Sequence, residues 1–178
     1  MENNNAIVIY QSKTGFTEQY ARWIARALHC DIQCLEQFNR AEMPRYDVVI
    51  FGAGIHAGKI RGARFIKNTL AGLSGKEVVV FATGATAPIP EEIARFQANS
   101  IPQGANIRFF YFQSGMNYAR IHGLDRLMMA ALKAILSMKK NKSDVEQGTL
   151  TAIQTSYDYS NQCQTEPLIT YVRTITSK

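Results

Sequence analysis

The sequence predicts an α/β protein, a three-layer αβα sandwich around a five-stranded parallel sheet in strand order 2-1-3-4-5, with an extra helical segment after the fifth strand. Three observations carry that expectation. Apolar runs of strand length alternate along the chain with helix-period segments, the pattern of a parallel sheet covered on both faces. The first such run, Ala6 to Tyr10, gives way to a helix-like segment from Glu18 to Leu28 through one hydroxyl-rich turn. Sequential right-handed crossovers then leave a switch point in the strand order, where open sheets of this kind bind their ligands.

The turn between that first strand and helix reads Ser12-Lys13-Thr14-Gly15-Phe16-Thr17. A chain passing from strand to helix leaves backbone N–H groups unpaired, with the positive end of the helix dipole behind them, and that arrangement suits an anion. Ser12, Thr14 and Thr17 add hydroxyls, while Gly15 lets the backbone curl and approach a ligand without a Cβ in the way. Lys13 adds charge or points into water. The G-x-x-x-x-G-K-[ST] loop of nucleoside triphosphate sites is missing, as is G-x-G-x-x-G after the first strand. The bland alternative is a polar turn with a Thr N-cap.

At 178 residues the chain suits one domain, 1–178, with a substantial core, and its 46% hydrophobic and 19% charged content is ordinary for a globular protein. No apolar stretch is long enough to cross a bilayer, and Met1 to Asn5 does not resemble the start of a secretory signal, so a cytoplasmic protein is expected. Cys30, Cys34 and Cys163 form no C-x-x-C pair, so reduced thiols and no metal site are expected. The net charge is +6, with basic clusters at Lys59, Arg61, Arg64 and Lys67 and at Arg120, Arg126, Lys133, Lys139, Lys140 and Lys142. Acidic substrates and anionic membrane surfaces are compatible with that charge, as are merely solvated faces. Nucleic acid has only the charge in its favour and no aromatic-basic stacking pattern, so none is expected.

The remaining elements come in order. In the first helix Tyr20, Ile24 and Leu28, with Trp23 and Ala27 beside them, make an apolar stripe to pack on the sheet. Asp31 to Leu35 is a short, half-polar strand suited to an edge, and Pro44 ends the segment from Phe38 to Met43. The third strand, Tyr46 to Gly52, runs into a loop Ala53-Gly54-Ile55-His56-Ala57-Gly58-Lys59; its glycines match a dinucleotide fingerprint only loosely, because the second gap is one residue too long. A helix from about Gly62 to Leu73 comes next. The fourth strand, Glu77 to Thr83, leads into Gly84-Ala85-Thr86-Ala87-Pro88-Ile89-Pro90, whose small residues leave room for a flat ligand. Pro90 opens a helix over Glu91 to Gln97, and Ile107 to Gln113 is the fifth strand.

After the fifth strand, residues 114–142 form a basic loop and helix added to the simple alternation. The loop Ser114 to His122 precedes a helix from Leu124 to about Lys139, with Leu124, Leu127, Met128, Ala131, Leu132 and Ile135 on one face. Core packing is the first expectation for that face; a membrane-surface or substrate-facing role is the second. Tyr157-Asp158-Tyr159 then precedes a closing helix, begun by Thr165 and Pro167 and buried through Leu168, Tyr171, Val172 and Ile175. Cys34 and Arg40 have the C-x5-R spacing of a phosphatase loop, but the segment lacks glycine and sets Glu36 where a phosphate needs bare N–H groups.

The turn at Ser12 to Thr17, the stretch Y-D-V-V-I-F-G-A-G-I-H-A-G at Tyr46 to Gly58, G-L-D-R-L-M-M at Gly123 to Met129 and the Tyr157-Asp158-Tyr159 segment together resemble the flavodoxin-domain family that includes the menaquinone-dependent protoporphyrinogen oxidases of bacteria. The resemblance extends over nearly the whole chain. It implies a flavodoxin-like fold, FMN as cofactor and a role in electron transfer or oxidoreduction, with an organic redox substrate, a porphyrinogen among the candidates, and a quinone as partners. A non-enzymatic electron carrier is the alternative. By the same resemblance Ser12, Lys13, Thr14, Gly15, Phe16 and Thr17 hold the phosphate, and Ala53, Gly54, Ile55, His56, Ala57, Gly58, Thr83, Gly84, Ala85, Thr86 and Ala87 border the isoalloxazine ring. His56, Lys59 and Arg61 are expected near the ring edge, favouring its reduced, anionic form. Arg120, His122 and Arg126 are candidates to receive substrate carboxylates, and the basic helix a candidate for peripheral contact with the inner membrane face.

Overall fold

The computed structural model describes residues 5–117, 123–139 and 156–177. Five strands lie parallel in the order β2-β1-β3-β5-β6, and a sixth, β4, pairs with β3 outside that path. They are β1 (Ala6–Gln11), β2 (Asp31–Cys34), β3 (Val48–His56), β4 (Lys59–Ile60), β5 (Glu77–Gly84) and β6 (Ile107–Gln113). With β4 set aside, this is the predicted 2-1-3-4-5 order. In register Ile9 stands beside Phe51, and Phe51 beside Val80, so each central strand is flanked by apolar neighbours.

Alternation along the strands divides the core in two. Ile7, Ile9, Val49, Phe51, Val78 and Val80 point to one face, where Phe65, Ile66 and Leu70 cover them. These come from α2 (Ala63–Asn68) and the 3₁₀ turn Leu70–Gly72, which together replace the single helix expected from Gly62 to Leu73. Val8, Ile50, Val79 and Phe81 point to the other face, under α1 (Phe16–Leu28) and the last helix, α5 (Glu166–Thr176). Tyr20, Ile24 and Leu28 of α1 are buried there as the spacing predicts, each worth about 1.5–3 kcal/mol of transfer free energy for a fully buried large apolar side chain. Trp23 and Ala27 are only half-buried, at the margin of the stripe. In α5, Ile169 joins the buried Leu168 and Val172, while Tyr171 and Ile175 pack at the edge.

Sheet edges need partners for their exposed backbone groups. At the end of the edge strand β6, the Gln164 side chain substitutes for one: the Gln113 N–H donates to Gln164 Oε1 at 2.7 Å, and Gln164 Nε2 donates to the Gln113 carbonyl at 3.3 Å. Tyr20 Oη donates to the same carbonyl at 2.5 Å and accepts from the Asn161 N–H at 3.2 Å. One strand end thereby ties α1 to the C-terminal segment. The remaining helices are α3 (Pro90–Ser100), with Pro90 in its first turn, and α4 (Gly123–Met138).

Helix α4 departs from the core-packing expectation. Of the expected face, Leu127, Ala131 and Ile135 are exposed and the side chains of Leu124, Met128 and Leu132 lie outside the described residues, while Leu136, from beyond that face, is buried. Periodicity establishes that a helix has an apolar side but not that the sheet has room to receive it, and here α1 and α5 already cover one face and α2 the other.

Candidate functional site

The carboxyl ends of β1, β3, β5 and β6 converge on one cleft of ≈260 Å³. Its phosphate-loop side is Lys13, Thr14, Phe16 and Thr17; its walls are Gly54 to Ala57 with Arg61, Thr83 to Ala85, and Ser114 to Met116. A second cleft of ≈410 Å³ adjoins it through the shared Thr14, Phe16 and Met116.

In the phosphate loop Gly15 is the N-cap of α1, at φ 96°, a left-handed conformation that a Cβ disfavours. Its own N–H donates to Ser12 Oγ at 3.1 Å, closing the turn. The first intrahelical bond runs from the Gln19 N–H to the Gly15 carbonyl at 3.0 Å, so the N–H groups of Phe16, Thr17 and Glu18 precede any intrahelical partner, and Gly15 has no side chain to cap them. This open helix start makes an anion site. The hydroxyls divide the work more unevenly than the sequence suggests. Ser12 braces the turn as an acceptor, and Thr17, 4% exposed, pairs its Oγ1 with that of Thr83, 3% exposed, at 2.7 Å.

The expected loop from Ala53 to Gly58 is in fact the end of a strand and a hairpin. β3 continues to His56, and β4 returns with His56 paired to Lys59. Ala57 and Gly58 at the turn both have positive φ, 48° and 74°, the backbone that two-residue hairpins require. Alanine in that conformation is uncommon, and so the turn is hidden in the sequence. The hairpin aims Arg61 at the cleft: its N–H donates to the Gly54 carbonyl at 2.9 Å, and its Nη2 lies 3.0 Å from His56 Nδ1. Guanidinium nitrogens only donate, so Nδ1 accepts and the ring carries its proton on Nε2. Of the three basic residues expected near a ring edge, His56 and Arg61 line the cleft, while Lys59 is exposed and outside its lining.

Ala53, expected in a loop at the ring, lies in β3 and outside the cleft lining. It is 0% exposed, registered between Gln11 and Ala82 within the sheet, and forms part of the core behind the cleft. Gly58, Thr86 and Ala87 also stand outside the lining. Thr86 nevertheless holds the wall, because its carbonyl accepts from Tyr111 Oη at 2.7 Å; burial pushes the Tyr111 phenol pKa up, which keeps that proton in place. Arg126 lies exposed on α4, away from the lining, and Arg120 and His122 fall outside the described residues.

The third wall was not singled out as a site by sequence. Ser114 donates its N–H to the Gly84 carbonyl at 2.7 Å, drawing the loop after β6 against the one after β5. Two residues on, Met116 and Tyr157 form an antiparallel bridge, with N–H to carbonyl distances of 2.9 and 3.0 Å. This brings Ser156, Tyr157 and Asp158 beside Thr14 and Gln19 in the second cleft. The available signals were Gly115 and the Tyr-Asp-Tyr segment. The C-x5-R segment instead places Cys34 at the end of β2, its thiol donating to Glu36 Oε2 at 2.5 Å.

Comparison with known families settles the lineage of this architecture. A family model described as flavodoxin domain matches residues 7–146. The chain belongs to the flavodoxin domain family. A search of curated proteins matched none to this sequence. Solved flavodoxin-type structures resemble it at low identity. A WrbA-like flavodoxin from Agrobacterium tumefaciens is 16% identical, with a TM-score of 0.48 over 65% of this chain and 86% of that one. The reduced flavodoxin of Megasphaera elsdenii is 19% identical, with a TM-score of 0.46 over 60% and 84%. A flavoprotein in complex with FMN from Lactobacillus acidophilus is 12% identical, with a TM-score of 0.43 over 61% and 91%.

The site's own chemistry fits the cofactor that a flavodoxin domain implies. An open helix start flanked by hydroxyls meets a monophosphate, and Gly54, Ala57, Gly84 and Ala85 leave a slot without bulky side chains for a flat ring. Arg61 and His56, both carrying N–H donors, line the same cleft.

Proposed function

We propose that this flavodoxin domain binds FMN and uses it for electron transfer with a small organic redox partner. The observation that carries the reading is the uncapped start of α1 at Gly15, opening onto a cleft walled by small residues. Bound there, FMN supplies one- and two-electron chemistry, and the protein adjusts its potential through nearby charge and hydrogen bonds. Phe16 to Glu18 offer backbone N–H groups to the phosphate, with Thr14 beside them. Arg61 and His56 place positive charge and a donor where negative charge accumulates on reduction, and the net charge of +6 acts in the same direction.

Within that class we infer an enzyme that takes hydrogen from a porphyrinogen-type substrate and delivers the electrons to a quinone, which leaves as the quinol. The resemblance of the Gly123 to Met129 and Tyr157 to Tyr159 segments supports it, as does the basic insertion for a substrate bearing carboxylates. Potentiometric titration of the flavin in wild type and Arg61→Gln tests the electrostatic part: the variant is expected at a lower midpoint, and an unchanged midpoint contradicts the role of Arg61. Anaerobic mixing of the reduced flavoprotein with a water-soluble naphthoquinone tests the acceptor. Rapid reoxidation is expected; reoxidation only by protein acceptors favours an electron carrier. For the substrate, Arg126→Ala is expected to slow porphyrinogen turnover without releasing flavin, and equal turnover contradicts that assignment.

A further inference from the structure

The second cleft begins where the first one ends, at the start of α1. Thr14 and Phe16 line both, and Gly15, the residue that leaves the helix start uncapped, lines the second. An anion held at that helix start has ≈260 Å³ on the side of the small-residue slot and ≈410 Å³ on the other. A terminal phosphate fills only a small part of the larger cleft, which falls within the range of about 300–1,000 Å³ found for small-molecule sites. A ligand that uses both clefts carries its phosphate in the middle, not at its end.

The chemistry of the second cleft says what lies beyond that phosphate. Lys13, His56 and Arg61 line the first cleft, whereas among the described residues no lysine, arginine or histidine lines the second. Its lining includes Gln19, Asn117, Tyr157 and Asp158. A carboxylate without a cation beside it disfavours a further terminal phosphate or the carboxylates of an acidic substrate. It suits a neutral group whose hydroxyls it can accept from, as acidic residues do for ribose in dinucleotide sites. An aromatic ring suits the face of a base, and side-chain amides suit a base's polar edge. Together these are the requirements of a nucleoside. Tyr157 and Asp158 are held in place by their neighbours. Asp158 Oδ1 accepts from the Ser160 N–H at 2.7 Å, the rings of Tyr157 and Tyr159 pack with centroids 5.3 Å apart, and the bridge to Met116 fixes the Tyr157 backbone. The carboxylate retains acceptor capacity for further donors.

We propose that the second cleft is a nucleoside subsite and that the flavin nucleotide this chain takes most tightly is FAD, its pyrophosphate at the start of α1 and its adenosine in the second cleft. The choice of FAD rests on the flavin reading above, whereas the nucleoside subsite does not. The test is isothermal titration calorimetry of the flavin-free full chain with FAD, FMN, ADP and inorganic pyrophosphate. FAD is expected to bind at least about tenfold more tightly than FMN, the scale of stacking one base on an aromatic ring. ADP is expected to bind more tightly than pyrophosphate and to displace FMN, because both need the start of α1. Tyr157→Leu, which keeps the bulk and the backbone bridge, is expected to weaken FAD and ADP roughly tenfold. Asp158→Asn, which keeps an acceptor for the Ser160 N–H, is expected to weaken both roughly fivefold by exchanging a charged acceptor for a neutral one. FMN affinity is expected to be unchanged in the two variants. FAD binding no tighter than FMN, wild-type FAD affinity in Tyr157→Leu, or ADP binding no tighter than pyrophosphate overturns the proposal and leaves FMN binding intact. ADP binding that depends on Tyr157, in a chain that retains no flavin, overturns the flavin reading and the choice of FAD with it, and supports the nucleoside subsite.

Discussion

The hydroxyls of Thr17 and Thr83, both buried, lie 2.7 Å apart and join the first turn of α1 to the end of β5. This bond connects the two halves of the cleft, the anion site and the slot of small residues. Replacing Thr83 by Val keeps the shape but leaves the Thr17 hydroxyl buried without that partner, at a cost of about 1–3 kcal/mol. Urea unfolding is expected to show that loss in Thr83→Val and its recovery in Thr83→Ser. Equal stability of all three proteins would contradict the assigned bond.

Gly15 tests the phosphate loop. At φ 96° an added Cβ costs about 1–2 kcal/mol in the left-handed region, and the turn that presents the open N–H groups has to change. Gly15→Ala is expected to bind FMN at least about tenfold more weakly, a loss on the scale of that strain. Titration of flavin fluorescence measures it.

Gly115 tests the third wall. A Cβ there would stand 1.9 Å from the Tyr157 carbonyl oxygen and 2.8 Å from Asp158 Cα, both backbone atoms that cannot swing aside. Gly115→Ala is expected to open the Met116–Tyr157 bridge, lower stability by about 1–3 kcal/mol, and speed proteolysis near Tyr157. Gly72→Ala, where a Cβ meets nothing within 4 Å, is the control and is expected to stay within about 0.5 kcal/mol of wild type.

Alkaline stability depends on Cys30. Burial pushes its thiol from 9.0 up to about 12, so between those values the unfolded chain releases a proton that the folded chain keeps. The thiol's contribution is fully present below pH 9.0 and is lost as pH rises towards about 12. The slope is at most about 1.4 kcal/mol per pH unit for one group. The buried Tyr20 and the half-buried Tyr111, also shifted upwards by desolvation, steepen the same fall. Urea midpoints across this range are expected to decline in wild type and less steeply in Cys30→Ala.

The sheet was legible in the sequence because its central strands are continuous apolar runs, from Ala6 to Tyr10 and from Val48 to Phe51, that suit only a strand buried on both faces. The phosphate loop was legible because its residues are contiguous. The hairpin after His56 was hidden by an alanine in a glycine-like conformation, and Ala53 was misplaced because the strand runs past it. The third wall is assembled by a bridge between Met116 and Tyr157, residues distant in the chain, and the local signals at Gly115 and Tyr157 to Tyr159 do not say that they pair. Helix α4 was legible as an amphipathic helix, but the direction of its apolar side depends on the space left by α1, α2 and α5.

The most direct test of the phosphate-loop account compares FMN with riboflavin, which lacks only the phosphate. The purified protein is saturated with either, the unbound fraction is removed, and the visible absorption of the retained flavin is read. A stoichiometric flavin band is expected with FMN and its loss with riboflavin, since the open start of α1 holds the phosphate. Equal retention of both, or of neither, would contradict it.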